Sequence, residues 1–217
     1  MVREAYHKDL HRLKGDIVNM GNLVGSAIRD AVISLRNRDV EMAQNVIDMD
    51  NEIDALDHEI EENCMRLLAL QQPMARDLRL IIAVLKMSID LERIGDLSLE
   101  IAVITKMSAD VPPVKPLIDI PRMSDICQEM IRDCMNAFEN KDVELARKTA
   151  RRDDEIDALF DQVRRELITI MIEEPKKITG AQHLTFVARY LERIGDHITN
   201  LCESVVFMVT GERVELN

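Results

Sequence analysis

The chain has 217 residues, 47% of them apolar, with seven glycines, six prolines and 3% aromatics. That balance supports a buried core and disfavours a turn-rich β fold, and no apolar run approaches the roughly 18–20 residues of a membrane span. The formal net charge of −12 excludes nucleic acid as an expected partner and repels anionic lipid, leaving cations or a basic protein surface as the better match.

Periodicity predicts six helices. The first covers roughly residues 4–36, with Leu10, Leu13, Ile17, Met20, Val24, Ala27, Ala31 and Leu35 in alternating steps of three and four. Asp39 is placed to cap the second helix, roughly 40–71, whose stripe is Val46, Met49, Ile53, Leu56, Ile60, Leu67 and Leu70. Pro73 suits the first turn of a third helix over 73–107. Its seam is Val84, Met87, Leu91, Ile94, Ile101 and Ile104. A second apolar side runs through Leu78, Ile82, Leu85 and Ile89, and is expected to meet the other half of the chain or another subunit. Residues 109–121 hold Pro112, Pro113, Pro116 and Pro121 and read as a linker. Helices near 122–140, 142–173 and 179–210 follow, with Pro175 and Gly180 marking the inner loop and Gly211 ending the last. The seam of the last helix is Leu184, Val187, Leu191, Ile194, Ile198, Leu201, Val205 and Met208.

The two halves repeat one another. Asn37–Ala43 matches Asn140–Ala146 and Asp50–Leu56 matches Asp153–Leu159, both 103 positions apart; Leu-Glu-Arg-Ile-Gly-Asp recurs at Leu91–Asp96 and Leu191–Asp196, 100 apart. The second copy has therefore lost three residues between its second and third helices. The expected fold is all-α: two tandem up-down-up three-helix bundles, residues 1–108 and 122–217, joined by 109–121.

Each hexapeptide puts two carboxylates four residues apart, Glu92 with Asp96 and Glu192 with Asp196, on one helix face and away from the apolar seam. Such a pair costs about 0.2–0.5 kcal/mol by repulsion, and the intervening Gly95 or Gly195 costs about 1 kcal/mol against alanine. The second and fifth helices carry matching pairs, Asp50 with Asp54 and Asp153 with Asp157. Adjacent antiparallel helices can present two pairs to each other, and four carboxylates suit a hard cation. The competing readings are a solvated acidic face for the carboxylates and close helix approach for the glycines. Arg93 and Arg193 read as local ion-pair partners. Cys64, Cys127, Cys134 and Cys202 form no C-x-x-C and read as small buried thiols. No P-loop, nucleophile elbow, H-E-x-x-H or dinucleotide turn is present, so no enzyme is expected. A ferritin-like di-iron protein needs two Glu-x-x-His motifs facing a bundle core; only Glu4-x-x-His7 occurs.

Tyr190–Asn200, with Asp90–Glu100 as its first-copy counterpart and the Asp-x-x-x-Asp pairs of the second and fifth helices, resembles the signature of the PhoU family over essentially the whole chain. The acidic chain, with no apolar signal region at Met1–Glu4, is expected to be cytoplasmic, and the resemblance implies a non-enzymatic homodimer of two three-helix bundles. It implies negative regulation of the phosphate-starvation response through contacts with a phosphate-transporter ATPase and a sensor histidine kinase. It also implies metal (iron, manganese, magnesium or zinc) on two sites, one of Asp50, Asp54, Glu92 and Asp96 and one of Asp153, Asp157, Glu192 and Asp196. Glu100 stands where the second copy has Asn200, a departure expected to make the two sites unequal. The alternative reading is an iron or manganese storage or oxidation protein.

Overall fold

A computed structural model describes the backbone of residues 2–216 and the side chains of residues 6–70 and 72–216. The side chain of Glu4, half of the lone Glu-x-x-His pattern, lies outside the described residues. The chain is all-helical: α1 (Val2–Asn37), α2 (Val40–Gln71), α3 (Ala75–Met107), α4 (Asp119–Asn140), α5 (Val143–Ala150), α6 (Asp153–Glu173) and α7 (Ile178–Thr210), with a single 3-10 turn at Pro175–Lys177. These are the six predicted helices, the fifth divided into α5 and α6.

Local chemistry explains most boundaries. Asp39 and Asp142, at equivalent places in the two copies, each accept the backbone N–H three residues on, from Met42 and Leu145, at 2.9 Å. Each follows a residue in the left-handed region, Arg38 at φ 57° and Lys141 at φ 56°, which ends the preceding helix. Gly211, at φ 83°, ends α7 as its sequence suggests. Two expectations shift. α3 begins at Ala75 rather than Pro73, behind a turn in which Gln72 (φ 45°) and Ala75 (φ 47°) are both left-handed. The division of the fifth helix falls at Arg151 and Arg152, whose dihedrals stay helical while the hydrogen bonds tighten: Arg152 N–H donates to Thr149 O and Glu155 N–H to Arg152 O, each at 3.0 Å.

The seams predicted for α1, α3 and α7 are buried throughout. That of α2 is buried at Val46, Ile53, Ile60 and Leu67, while Leu70, 70% exposed, lies off it. α1, α2 and α3 pack on one another, and α4, α5 and α6 pack on α7. The two groups join through α3 against α7 and α1 against α4. α3 and α7 run antiparallel: Arg79 Nε donates to Met208 O at 3.4 Å, and His197 Nδ1 and Asn200 Nδ2 reach Asp90 Oδ1 at 2.9 and 3.2 Å. On the other side, α1 presents Gly21 and Gly25 to Met135 and Ile131 of α4. A Cβ on Gly21 would lie 2.6 Å from Met135 Sδ, so an alanine here would force the Met135 side chain to shift. The Arg38 guanidinium donates to the carbonyls of Ser108, Ala109 and Val111, fastening the end of α3 and the linker to the α1–α2 turn.

The second apolar side of α3 does not face the other half of the chain. α7 packs along the neighbouring face that carries Arg79 and Asp90, leaving Leu78, Ile82 and Leu85 half-buried and Ile89 51% exposed. All four cysteines are buried and free. Cys64 and Cys127 donate to Ile81 O and Leu191 O, and burial pushes the Cys64 thiol up to about 12, holding it protonated and inert.

Candidate functional site

The four carboxylate pairs lie on adjacent helices, two in each bundle, as two unlike faces. In the first bundle α2 supplies Asp50 and Asp54, and α3 supplies Glu92 and Asp96. Gly95 lies where these helices approach each other closely. A Cβ on it would lie 3.1 Å from Ile53 Cδ1 and 3.3 Å from Asp50 Oδ1. Of the two readings of that glycine, the geometry realises close helix approach. Burial and then crowding raise the proton affinity of Asp50 and Glu92. Burial, then Asp54 and Asp96, push the Asp50 carboxyl up to about 6. Glu92 is raised by burial and by Asp96, offset by Arg93, with Asp57 and Asp54 adding to the rise. Arg93 pairs with both carboxylates of its own helix, Glu92 at 3.4 Å and Asp96 at 3.0 Å.

Asp57 belongs to this face and was missed in the sequence. It continues the Asp50, Asp54 spacing by three residues, which places it on the same side of α2. It was hidden because its counterpart in the second copy is Phe160. Asp50 Oδ1 and Asp57 Oδ1 are buried without a hydrogen-bond partner.

The second bundle balances its charge. Asp153 is wholly buried rather than flanking the seam at the surface. A Cβ on Gly195 would collide with its Oδ1 and come to 3.0 Å from Ile156 Cδ1. Glu192 pairs through Oε1 with Arg189, a position occupied by Ile89 in the first bundle, while its Oε2 is buried without a partner. Burial, then Asp196, Asp154 and Asp161, raise Asp157, with Arg189 opposing. Burial also raises Glu192, again against Arg189. Arg164 and Arg189 lie 6.0 and 5.9 Å from the Phe160 ring centroid. The inequality between the faces thus arises from Asp57 against Phe160 and Ile89 against Arg189. The Glu100/Asn200 departure acts elsewhere: Asn200 bonds Asp90 across the α3–α7 seam, and Glu100 lines a groove there with Arg93, Tyr190 and Arg193.

Oxygen-only donors, orphaned acceptors and raised proton affinities occur in both bundles and suit a hard cation, and Asp57 gives the first bundle one more donor. Among the described residues, no three His, Cys, Asp or Glu side chains are drawn together as a coordination shell.

Fold and faces together define a duplicated six-helix protein whose polar sites are facing carboxylate pairs. Comparison with known proteins places it further. The PhoU domain model matches residues 17–105 and 120–205. The chain is 42% identical to the phosphate-specific transport system accessory protein PhoU homolog of Aquifex aeolicus, over 96% of this chain and 94% of that one. It is 36% identical to the homolog of the same description from Clostridium acetobutylicum, over the full length of both. The crystal structure of PhoU from Pseudomonas aeruginosa superposes with a TM-score of 0.92 at 34% identity, covering 95% of this chain and all of that one. That of the phosphate transport system regulatory protein PhoU from Streptococcus pneumoniae does so at 0.89 and 30%, covering 96% and 99%. The chain belongs to the PhoU family, which has no known catalytic activity.

Proposed function

We propose that the chain is a cytoplasmic regulatory adaptor of phosphate uptake. It represses the phosphate-starvation response through contacts with a phosphate-transporter ATPase and a sensor histidine kinase, as a homodimer in which each protomer has two bundles, residues 1–108 and 122–217, joined by the linker 109–121. The observation that carries this reading is similarity along the whole chain, in both copies, to proteins described as accessory to, or regulators of, phosphate transport. No described helix is long and apolar enough to cross a membrane, so on this reading membrane partners are reached by protein contact. The test is affinity purification of the full chain from phosphate-replete cells. Co-purification of a phosphate-transporter ATPase or a phosphate-sensing kinase is expected; recovery of neither would overturn the reading.

Metal is the second part of the proposal. Asp50, Asp54, Glu92 and Asp96, extended by Asp57, form the stronger site, and Asp153, Asp157, Glu192 and Asp196 the weaker, because Phe160 stands where the first site has the extra carboxylate of Asp57. Bound iron, manganese, magnesium or zinc would supply positive charge that relieves the carboxylate repulsion and would compete with protons for the same oxygens. Metal per chain by elemental analysis, in wild type and in the Glu92/Asp96 and Glu192/Asp196 double alanine variants, should fall most in the first. Equal content in all three would reject these carboxylates as ligands. The alternative of iron storage or oxidation predicts turnover of added ferrous iron, which an adaptor lacks.

A further inference from the structure

The two bundles, alike in backbone, differ along the groove between their second and third helices. In the first bundle α3 shows Leu78, Ile82, Leu85 and Ile89 along the groove and then turns acidic at Glu92 and Asp96. The antiparallel α2 runs Asp50, Asp54, Asp57 and Glu61, then turns apolar at Met65 and Leu68. The groove is therefore apolar at the α2–α3 loop and acidic at the other end. Its apolar half is uncovered: Met65 is 52% and Ile89 51% exposed. At the matching places the second bundle has Gln182, Thr185 and Arg189 for Ile82, Leu85 and Ile89, and Phe160 and Arg164 for Asp57 and Glu61. The first copy thus joins Ile82, Leu85 and Ile89 to Asp57 and Glu61, with Arg93 pairing only the carboxylates of its own helix, while the second keeps apolar Ile168, Met171 and Ile178 but is polar or basic at Gln182, Thr185, Arg189 and Arg164. An apolar stripe that merges into concentrated negative charge is complementary to a helix that is apolar along one side and basic at one end.

We propose that the α2–α3 groove of the first bundle docks a basic amphipathic helix of a protein partner. The apolar half receives the partner's leucine-type side chains, and Asp54, Asp57, Glu61 and Glu92 receive its lysines or arginines. A second copy laid antiparallel along this same groove would set the acidic half of each against the apolar half of the other, burying carboxylates without a cation, which argues against self-association here. From Leu78 to Asp96 the groove is about 27 Å long, the length of about 18 helical residues. The proposal deepens the adaptor reading and rests on it only for the existence of a protein partner.

The test is a fluorescence-anisotropy titration of the full chain, in chelator, with a labelled synthetic 18-residue helix carrying leucines along one face and lysines at one end. Binding is expected to weaken as salt rises, and to weaken about tenfold when the lysines are replaced by glutamine. Ile89→Gln, an exposed position, and Leu85→Gln with Ile89→Gln should each weaken it. So should Asp54→Asn with Asp57→Asn, which should also flatten the salt dependence. The mirror variant Ile178→Gln with Thr185→Gln should leave it unchanged. Equal affinity for wild type and the Ile89 variant, or for the lysine and glutamine peptides, would overturn the proposal. So would a change in solution mass caused by Ile89→Gln, which would assign the groove to self-association. Failed titration with intact co-purification removes this surface and leaves the adaptor reading; intact titration with no co-purified transporter or kinase does the reverse.

Discussion

Gly95 and Gly195 occupy the same place in the repeated hexapeptide, yet a methyl group meets different resistance at each. At Gly95 it would touch Ile53 and Asp50 at 3.1–3.3 Å, and the gain in helix propensity of about 1 kcal/mol offsets the crowding. At Gly195 it would strike the buried Asp153 carboxylate, and overpacking of this kind costs about 1–3 kcal/mol. Gly195→Ala should therefore lower the denaturation midpoint clearly and Gly95→Ala hardly at all, measured in chelator; equal losses would contradict the burial of Asp153. Asp50 adds a pH dependence. Its carboxyl titrates near 3.8 when free and at about 6 in the folded chain. Between those values the folded state holds more protons than the unfolded state, so stability falls as pH rises through the window. Metal-free protein should be more stable at pH 4 than at pH 6.5 as far as this group contributes, and Asp50→Asn should flatten that loss and stabilise the chain at pH 7. A variant that keeps the wild-type slope would move the effect to other groups.

At the level of elements, α7 separates packing from charge. Leu191 is fully buried and Asp196 exposed. Leu191→Ala should cost about 2–5 kcal/mol through the cavity it leaves. Asp196→Asn should cost little or stabilise metal-free protein by relieving repulsion; equal losses in denaturant titration would overturn the assignment of seam and acidic face. The seams were legible because steps of three and four mark a buried stripe wherever one face of a helix is covered. Leu70 fails because the buried line runs through Ile60, Cys64 and Leu67, and Leu70, in the last turn of α2, lies off it. The division at Arg151–Arg152 carries no Pro or Gly signal, since the backbone there stays helical and only the hydrogen-bond spacing tightens. The paired carboxylates were legible from spacing, whereas Asp57 and Arg189 were not, because comparison of the copies favours what they share and these residues are what they do not. The burial of Asp153 depends on how closely α6 approaches α7, which spacing within either helix does not encode.

Across the whole molecule, duplication has produced one scaffold with two divergent faces. The α3–α7 seam is held by His197 and Asn200 on Asp90 and by Arg79 on Met208, and the α1–α4 seam by the close approach at Gly21 and Gly25. Both seams join one continuous apolar core, so a partner that engages one bundle acts on a body connected to the other. Charge is uneven on that body: the first bundle carries Asp57 and Glu61 beside apolar Ile89, where the second carries Phe160, Arg164 and Arg189. The central claim is that this asymmetric scaffold works by contact, in repressing the phosphate-starvation response. Its most direct test is a reporter driven by a phosphate-starvation promoter, in phosphate-replete cells from which this chain has been deleted. The account predicts that the reporter switches on and is silenced again by restoring the chain; a reporter that stays silent after the deletion would contradict it.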